Sequence, residues 1–120
     1  MPASTPKPSA APVDRRRRRH VRYRADFRVS VACLAGSEYH KVEGHCRDLS
    51  EAGIGILFAA ELKTGDVVSL TFSLPGGSTW QLRGVVRYRH GYHYGFEFLS
   101  LPAEQREQIK QYLKELQPAP

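Results

Sequence analysis

A cluster of arginines near the start of the chain is the sequence's most distinctive chemical feature. Arg15 to Arg19 are consecutive, and Arg22 and Arg24 follow within five residues. Arginine donates two parallel hydrogen bonds from a planar guanidinium, a geometry that matches phosphate oxygens. Because adjacent like charges repel one another, such a run indicates a polyanionic partner. The alternative is a solvated basic tail, or an arm that holds nucleic acid without sequence specificity.

A second candidate is the pattern Asp48-x-Ser50-x-x-Gly53. One interpretation is a turn between strands, in which the Asp and Ser oxygens bond to nearby backbone N–H groups and the glycine takes a positive φ. The other is a polar site, since a carboxylate accepts hydrogen bonds, a hydroxyl adds a contact and a glycine lets a ligand approach the backbone. The pattern alone leaves both interpretations open.

The excess of positive over negative charge in the 120-residue chain lies at its beginning. Residues 1–24 carry eight basic side chains and one acidic one, whereas the other 96 residues carry ten and eleven. Four of the eight prolines also fall within the first 12 residues. The sequence therefore predicts a flexible tail and a basic arm on a near-neutral body, not the uniformly basic face of many duplex-binding domains.

Motifs of enzymes and metal sites are missing from the sequence. It contains no G-x-S-x-G, no P-loop, no H-E-x-x-H and no G-x-G-x-x-G after a strand. His90 and His93 flank a turn and His45 adjoins Cys46, but no three or four ligands have the spacing of a metal site. We therefore expect solvent-facing turn histidines, no metal, no cofactor and no enzymatic activity.

The cysteines and the hydropathy pattern bear on the compartment. Cys33 and Cys46 form no C-x-x-C pair, and Met1 to Pro12 contain no apolar signal region. No apolar run approaches the roughly 18 to 20 residues that a spanning helix needs. We expect a cytoplasmic protein with two reduced, half-buried thiols and no insertion into a membrane.

Alternation of apolar and polar residues predicts six short strands from Asp26 to Phe98. No helical pattern interrupts them, so an antiparallel sheet or barrel is expected, and barrel closure would remove exposed edges. The turn signals that separate the strands are Gly36 to His40, Asp48 to Gly53, Lys63 to Asp66, Pro75 to Ser78 and the turn at Gly91. The alternation places Trp80, Leu82, Gly84, Val86 and Tyr88 on one face.

The spacing becomes helical at the end of the chain. Ile109, Leu113 and Leu116 recur at helical intervals after Pro102, which predicts a helix over about 102–117. The predicted organisation is a Pro/Ala-rich tail at 1–14, a basic linker at 15–25, and a β domain with the closing helix at 26–117.

Together the two motifs resemble those of the PilZ domain, the bacterial receptor module for the second messenger cyclic di-GMP. An Arg-x-x-x-Arg pair, Arg18 and Arg22, stands before the first strand, and D-x-S-x-x-G stands between the second and third. The L-K-T-G-D-V stretch at 62–67, the Y-G-F-E-F segment at 94–98 and the closing helix extend the similarity over about 15–117. The resemblance implies an all-β fold, a six-stranded antiparallel split barrel with a C-terminal helix.

The resemblance also implies a binding site for cyclic di-GMP. Arg15/Arg19 and Arg24/Arg28 share the spacing of the arginine pair, but the family's pair precedes the first strand by a few residues, and Arg28 falls inside the predicted strand. An arginine at the position of Arg17 is associated in the family with a stacked pair of ligands, so two ligands per chain are expected. The implied site residues are Arg17, Arg18, Arg22, Asp48, Ser50 and Gly53, with Arg19 and Gly95 as secondary candidates.

The chemistry of that ligand suits these residues. It has two phosphodiesters and two guanines, and arginine can bond to phosphate oxygens or to guanine O6 and N7. The guanine N1–H and N2–H donors need an acceptor such as Asp48. We expect a receptor that orders its linker on binding, signals to a protein partner and has no specific nucleic-acid partner. The alternatives are an adaptor with a vestigial pocket and a nucleic-acid-binding barrel, which would use Trp80, Tyr88, Tyr92 and Tyr94 for stacking.

Overall fold

The computed structural model describes residues 21–35, 37–74, 77 and 79–116. Within these ranges the chain forms six strands and then one helix, which confirms the predicted fold class. The elements are β1 (Tyr23–Ala35), β2 (Glu38–Leu49), β3 (Gly53–Leu57), β4 (Val67–Ser73), β5 (Thr79–His90), β6 (His93–Leu99) and α1 (Ala103–Leu113).

The strands close into a barrel in the order β1-β2-β3-β6-β5-β4, and all neighbouring pairs are antiparallel. The ring is completed where Ser30, Val31 and Ala32 of β1 pair with the middle of β4. Closure removes the free edges that an open sheet of six amphipathic strands would present. The predicted barrel is therefore confirmed.

The barrel interior is filled by the apolar residues that alternate along the strands. Val29 and Val31 on β1, and Val68, Leu70 and Phe72 on β4, are buried as the period-2 pattern predicts. Burying a side chain of this size contributes about 1.5 to 3 kcal/mol. The remaining strands add Cys46, Leu49, Ile54, Ile56, Trp80, Leu82, Val86, Tyr94, Phe96 and Phe98 to the same core.

Both cysteines are free thiols and are buried, Cys46 completely. Burial raises the pKa of the Cys46 thiol and, less strongly, that of Cys33. Both therefore stay protonated at neutral pH and act as small apolar side chains.

The closing helix is shorter than predicted. It begins after Pro102, which offers no side-chain cap, and ends at Leu113, followed by i→i+3 bonds from Glu115 and Leu116. Ile109 and Leu113 are its buried residues and belong to the barrel core. Among the described residues, no helix is long and apolar enough to cross a membrane.

β-Bulges interrupt the strand register at three places that matter for the site. One residue of β1 is extra between Arg24 and Phe27, Arg47 is extra in β2, and Arg87 is extra in β5. An extra residue reverses the face on which the following side chains lie.

Three expectations from the sequence are corrected by the strand register. Tyr88 does not continue the buried face of β5, because the Arg87 bulge leaves it half-buried on the outer surface, opposite Gly95. Asp48 lies inside β2, where it pairs with Gly55, and not in a turn. β1 also begins at Tyr23, three residues before Asp26, because Tyr23 and its neighbour pair with the end of β2 beyond a bulge.

Candidate ligand-binding site

Two glycines lie side by side on the outer surface of the barrel. Asp48 on β2 pairs with Gly55 on β3, Gly55 with Gly95 on β6, and Gly95 with Tyr88 on β5. We call these four residues the glycine row. The row crosses four adjacent strands and has no side chain at its two central positions, which leaves room there for the Asp48 and Tyr88 side chains.

The side chains at both ends of the row fold over the glycines. A Cβ at Gly55 would stand 2.7 Å from Asp48 Oδ1, and one at Gly95 would stand 2.1 Å from Tyr88 Cε2. Real Cβ atoms do not approach other atoms so closely, so a larger residue at either position would displace its neighbour. Only glycine leaves room for the neighbouring side chains to lie this close to the backbone, a role that glycine often has inside strands.

Arg22 reaches the row from just before β1. Its Nη1 donates to Asp48 Oδ1 at 2.5 Å, and its guanidinium lies 5.7 Å from the centre of the Tyr88 ring. The Arg22 and Asp48 side chains are 31% and 15% exposed, so the ion pair is partly shielded from water. This contact joins the second arginine of the predicted pair to the first residue of D-x-S-x-x-G.

Ser50 and Gly53 form the turn that follows β2. The Ser50 Oγ accepts hydrogen bonds from the N–H of Ala52 at 3.2 Å and of Gly53 at 3.1 Å, and Ser50 is buried. Gly53 does not have the positive φ that the turn interpretation expects. A Cβ there would stand 2.3 Å from the Phe96 carbonyl oxygen, so the glycine permits close contact between β3 and β6.

His93 lies beside Asp48, contrary to the expectation of a solvent-facing turn histidine. Its Nε2 is 3.8 Å from Asp48 Oδ2, and its ring meets the Tyr88 ring edge-on at 5.9 Å. That Nε2 is buried and has no hydrogen-bond partner within the described part of the chain. Burial lowers the pKa of His93, as do the cations Arg47 and Arg22, whereas Asp48 raises it.

A surface cavity of about 800 Å³ adjoins the row and is lined by residues of β1, β2, β3 and β6. Arg24 and Arg47 supply positive charge, and Leu57 contributes an apolar surface between His45 and His93. The cavity wall also includes Asp26, which is paired with His45, and Asp48. The wall therefore combines cations, carboxylates and a small apolar surface.

The other predicted residues divide into three groups. Arg17, Arg18 and Arg19 lie outside the described residues, and Gly95 lies under Tyr88. His45 is exposed and Cys46 is buried, so the two do not face a common site, and no group of three or more metal ligands occurs among the described residues.

Sequence reasoning missed Gly55, Tyr88 and His93 as neighbours of Asp48. The one available signal was the glycine inside the strand Gly53–Leu57.

Comparison with known proteins decides the family. The sequence model of the PilZ domain family matches residues 16–115. The chain belongs to the PilZ domain family. A comparison of this PilZ protein with curated protein sequences finds no match.

Solved PilZ structures share its fold. The PilZ domain of YcgR from Escherichia coli, determined with c-di-GMP, is 20% identical, with a TM-score of 0.66 over 83% of this chain and 91% of that one. The PilZ domain of CeSA from a cellulose-synthesizing bacterium is 22% identical, with a TM-score of 0.59 over 78% and 94%. The Bacillus subtilis inhibitor of motility MotI/DgrA is 21% identical, with a TM-score of 0.61; the alignment covers 81% of this chain and 49% of that one.

The contact between Tyr88 and Gly95 can be tested by a double-mutant cycle. Gly95→Ala should destabilise the protein by about 1 to 3 kcal/mol, because the new methyl group overlaps the Tyr88 ring. In a Tyr88→Ala background the same substitution should cost much less, since the ring is gone. Urea unfolding of the four proteins measures both values, and an equal cost in the two backgrounds would contradict the assigned contact.

Proposed function

We propose that this PilZ protein is a receptor for cyclic di-GMP and binds it on the outer surface of the barrel, over the glycine row. The contact between Arg22 and Asp48 carries the proposal, because it brings the described members of two motifs, 26 residues apart, to one surface beside a cavity. The YcgR PilZ domain of the same fold, determined with c-di-GMP, supports the choice of ligand.

Each group at the row has a counterpart on the ligand. The Arg22 guanidinium can donate to a phosphodiester or to guanine O6 and N7, and the Asp48 carboxylate can accept from guanine N1–H and N2–H. The half-buried Tyr88 ring offers a flat apolar surface for a purine. Because Gly55 and Gly95 have no side chains, the Asp48 carboxylate and the Tyr88 ring lie close over the strands and can meet the ligand on one surface.

The arginine segment completes the proposed site. Four residues span at most about 14 Å, so an extended chain keeps Arg18 within that distance of Arg22 at Asp48. Binding would draw Arg17 and Arg18 against the barrel and order the arginine segment that precedes β1 over the ligand. A protein partner would then recognise the combined surface of ligand, linker and barrel.

The nucleic-acid alternative has less support. Of the four aromatic residues it would use, Trp80 and Tyr94 are buried in the core, and Tyr94 donates from its hydroxyl to the Ala60 carbonyl. Tyr88 and Tyr92 remain at the surface. Two aromatic side chains on one hairpin do not make the extended stacking surface that single-stranded nucleic acid requires.

Ligand selectivity tests the proposed function most directly. Cyclic di-GMP should bind far more tightly than cyclic di-AMP or a short oligonucleotide of equal charge, because Asp48 needs the guanine N–H donors. Isothermal titration at 50 and 200 mM salt should show that this binding survives, whereas non-specific binding of polyanions falls by decades. If all three ligands bind with similar affinity and this binding is lost at 200 mM salt, the proposed receptor function is wrong.

Substitutions at the row separate specific contacts from bulk charge. Arg18→Ala, Arg22→Ala and Asp48→Ala should each weaken cyclic di-GMP binding by at least about 1 to 3 kcal/mol, the value of one good bidentate contact. The matched control is Arg83→Ala, an exposed arginine on β5 outside the cavity lining, which should change binding little. Asp48→Ala is decisive, since a purely electrostatic site would bind anions better once Arg22 is released from its carboxylate.

The number of bound ligands is a separate prediction. We expect two cyclic di-GMP molecules per chain, because a third guanidinium from Arg17 offsets the four phosphodiester charges of a stacked pair. Arg17→Leu should shift the ratio toward one and leave the circular dichroism spectrum unchanged. Titration of the wild-type protein that saturates at one ligand per folded chain would show that Arg17 has no such role.

A further inference from the structure

His93 lies in the proposed site but has no part in the motifs. We propose that His93 is a positioning residue: it becomes the partner of the Asp48 carboxylate when Arg22 turns from Asp48 to the ligand, and it takes up a proton as it does so. This inference rests on the proposed function and concerns the regulation of the same site by pH.

The geometry of the Asp48 carboxylate is the first argument. Its Oδ1 accepts from Arg22, and its Oδ2 faces the His93 Nε2 at 3.8 Å. Because the Asp48 side chain is only 15% exposed, water solvates the carboxylate poorly once Arg22 leaves, and a guanine that donates to one oxygen leaves the other without a partner. A movement of about 1 Å brings Oδ2 and Nε2 to hydrogen-bonding distance, so His93 can supply a donor to that oxygen.

The state of the His93 ring is the second argument. Its Nε2 is buried without a hydrogen-bond partner among the described residues, an arrangement that is unfavourable. The edge contact with Tyr88 at 5.9 Å helps to hold the ring beside Asp48. A bond between Nε2 and Oδ2 would satisfy both the orphaned nitrogen and the shielded carboxylate.

The charges around His93 determine the direction of proton transfer. Burial lowers its pKa, and so do Arg47 on β2, Arg22 before β1 and His90 on β5, so the ring is neutral at pH 7. Asp48 on β2 raises the pKa of His93. Leu57, the residue on β3 that pairs with His93, is uncharged. A bound phosphodiester neutralises Arg22 and leaves the attraction of Asp48, so the pKa of His93 rises on binding.

The sign of the pH dependence follows by linkage. A group whose pKa is higher in the complex binds a proton together with the ligand, so affinity is greatest below the lower pKa. Affinity then decreases as the pH rises through the pKa of the complex, by at most tenfold per pH unit for one proton.

The experiment is isothermal titration of cyclic di-GMP at pH 6 to 8, in buffers with different enthalpies of ionisation. The wild-type protein should take up a fraction of a proton and lose affinity with rising pH. His93→Gln keeps an N–H donor and should bind with a much flatter pH profile, whereas His93→Phe should bind more weakly at every pH. The matched control His40→Gln, exposed on β2 outside the cavity lining, should keep the wild-type profile.

The outcomes separate the two proposals. If wild-type protein fails to bind cyclic di-GMP, the receptor function is wrong. If it binds without proton uptake, or if His93→Gln keeps the wild-type pH profile, the role of His93 alone is overturned. A pH titration of the ligand-free protein, followed by NMR, measures the pKa of His93 whatever the affinity of the variants. Arg22→Ala should raise this pKa, and adding Asp48→Asn should abolish the rise.

Discussion

The missing side chains at Gly55 and Gly95 are the constraint on which the site depends. Strands of a closed barrel lie about 4.8 Å apart, so side chains on neighbouring strands compete for the same space on the outer surface. With two adjacent positions empty, the Asp48 carboxylate and the Tyr88 ring fold inward over the backbone. Arg22 and His93 then lie near different oxygens of the same carboxylate.

Under the proposed function, the ion pair between Arg22 and Asp48 would give a physical basis for ligand selectivity. A simple polyanion that attracts Arg22 leaves Oδ1 of the largely shielded Asp48 carboxylate without a donor, which is unfavourable. A guanine supplies N–H donors to that carboxylate while its phosphodiester accepts from the arginine. Under the proposed function, the intramolecular pair therefore disfavours general anions more than the dinucleotide that satisfies both of its members.

The backbone irregularities of the barrel serve the outer surface as well as closure. The bulge at Arg47 turns Asp48 outward while Leu49 stays in the core, and the bulge at Arg87 does the same for Tyr88. Bulges often re-aim side chains next to functional sites. Here they place a carboxylate and an aromatic ring at opposite ends of one row.

Local patterns were enough to predict the six strands, the helix, the buried faces of β1 and β4, and the two motifs, because alternation and turn residues act over a few positions. The contact of Arg22 with Asp48 was anticipated only through the family resemblance, and the roles of Arg17, Arg18 and Arg19 stay predictions. The outward face of Tyr88, the position of Asp48 inside β2 and the approach of His93 depended on the tertiary structure. Each follows from one-residue bulges and from the register between strands far apart in the sequence, which no local pattern encodes.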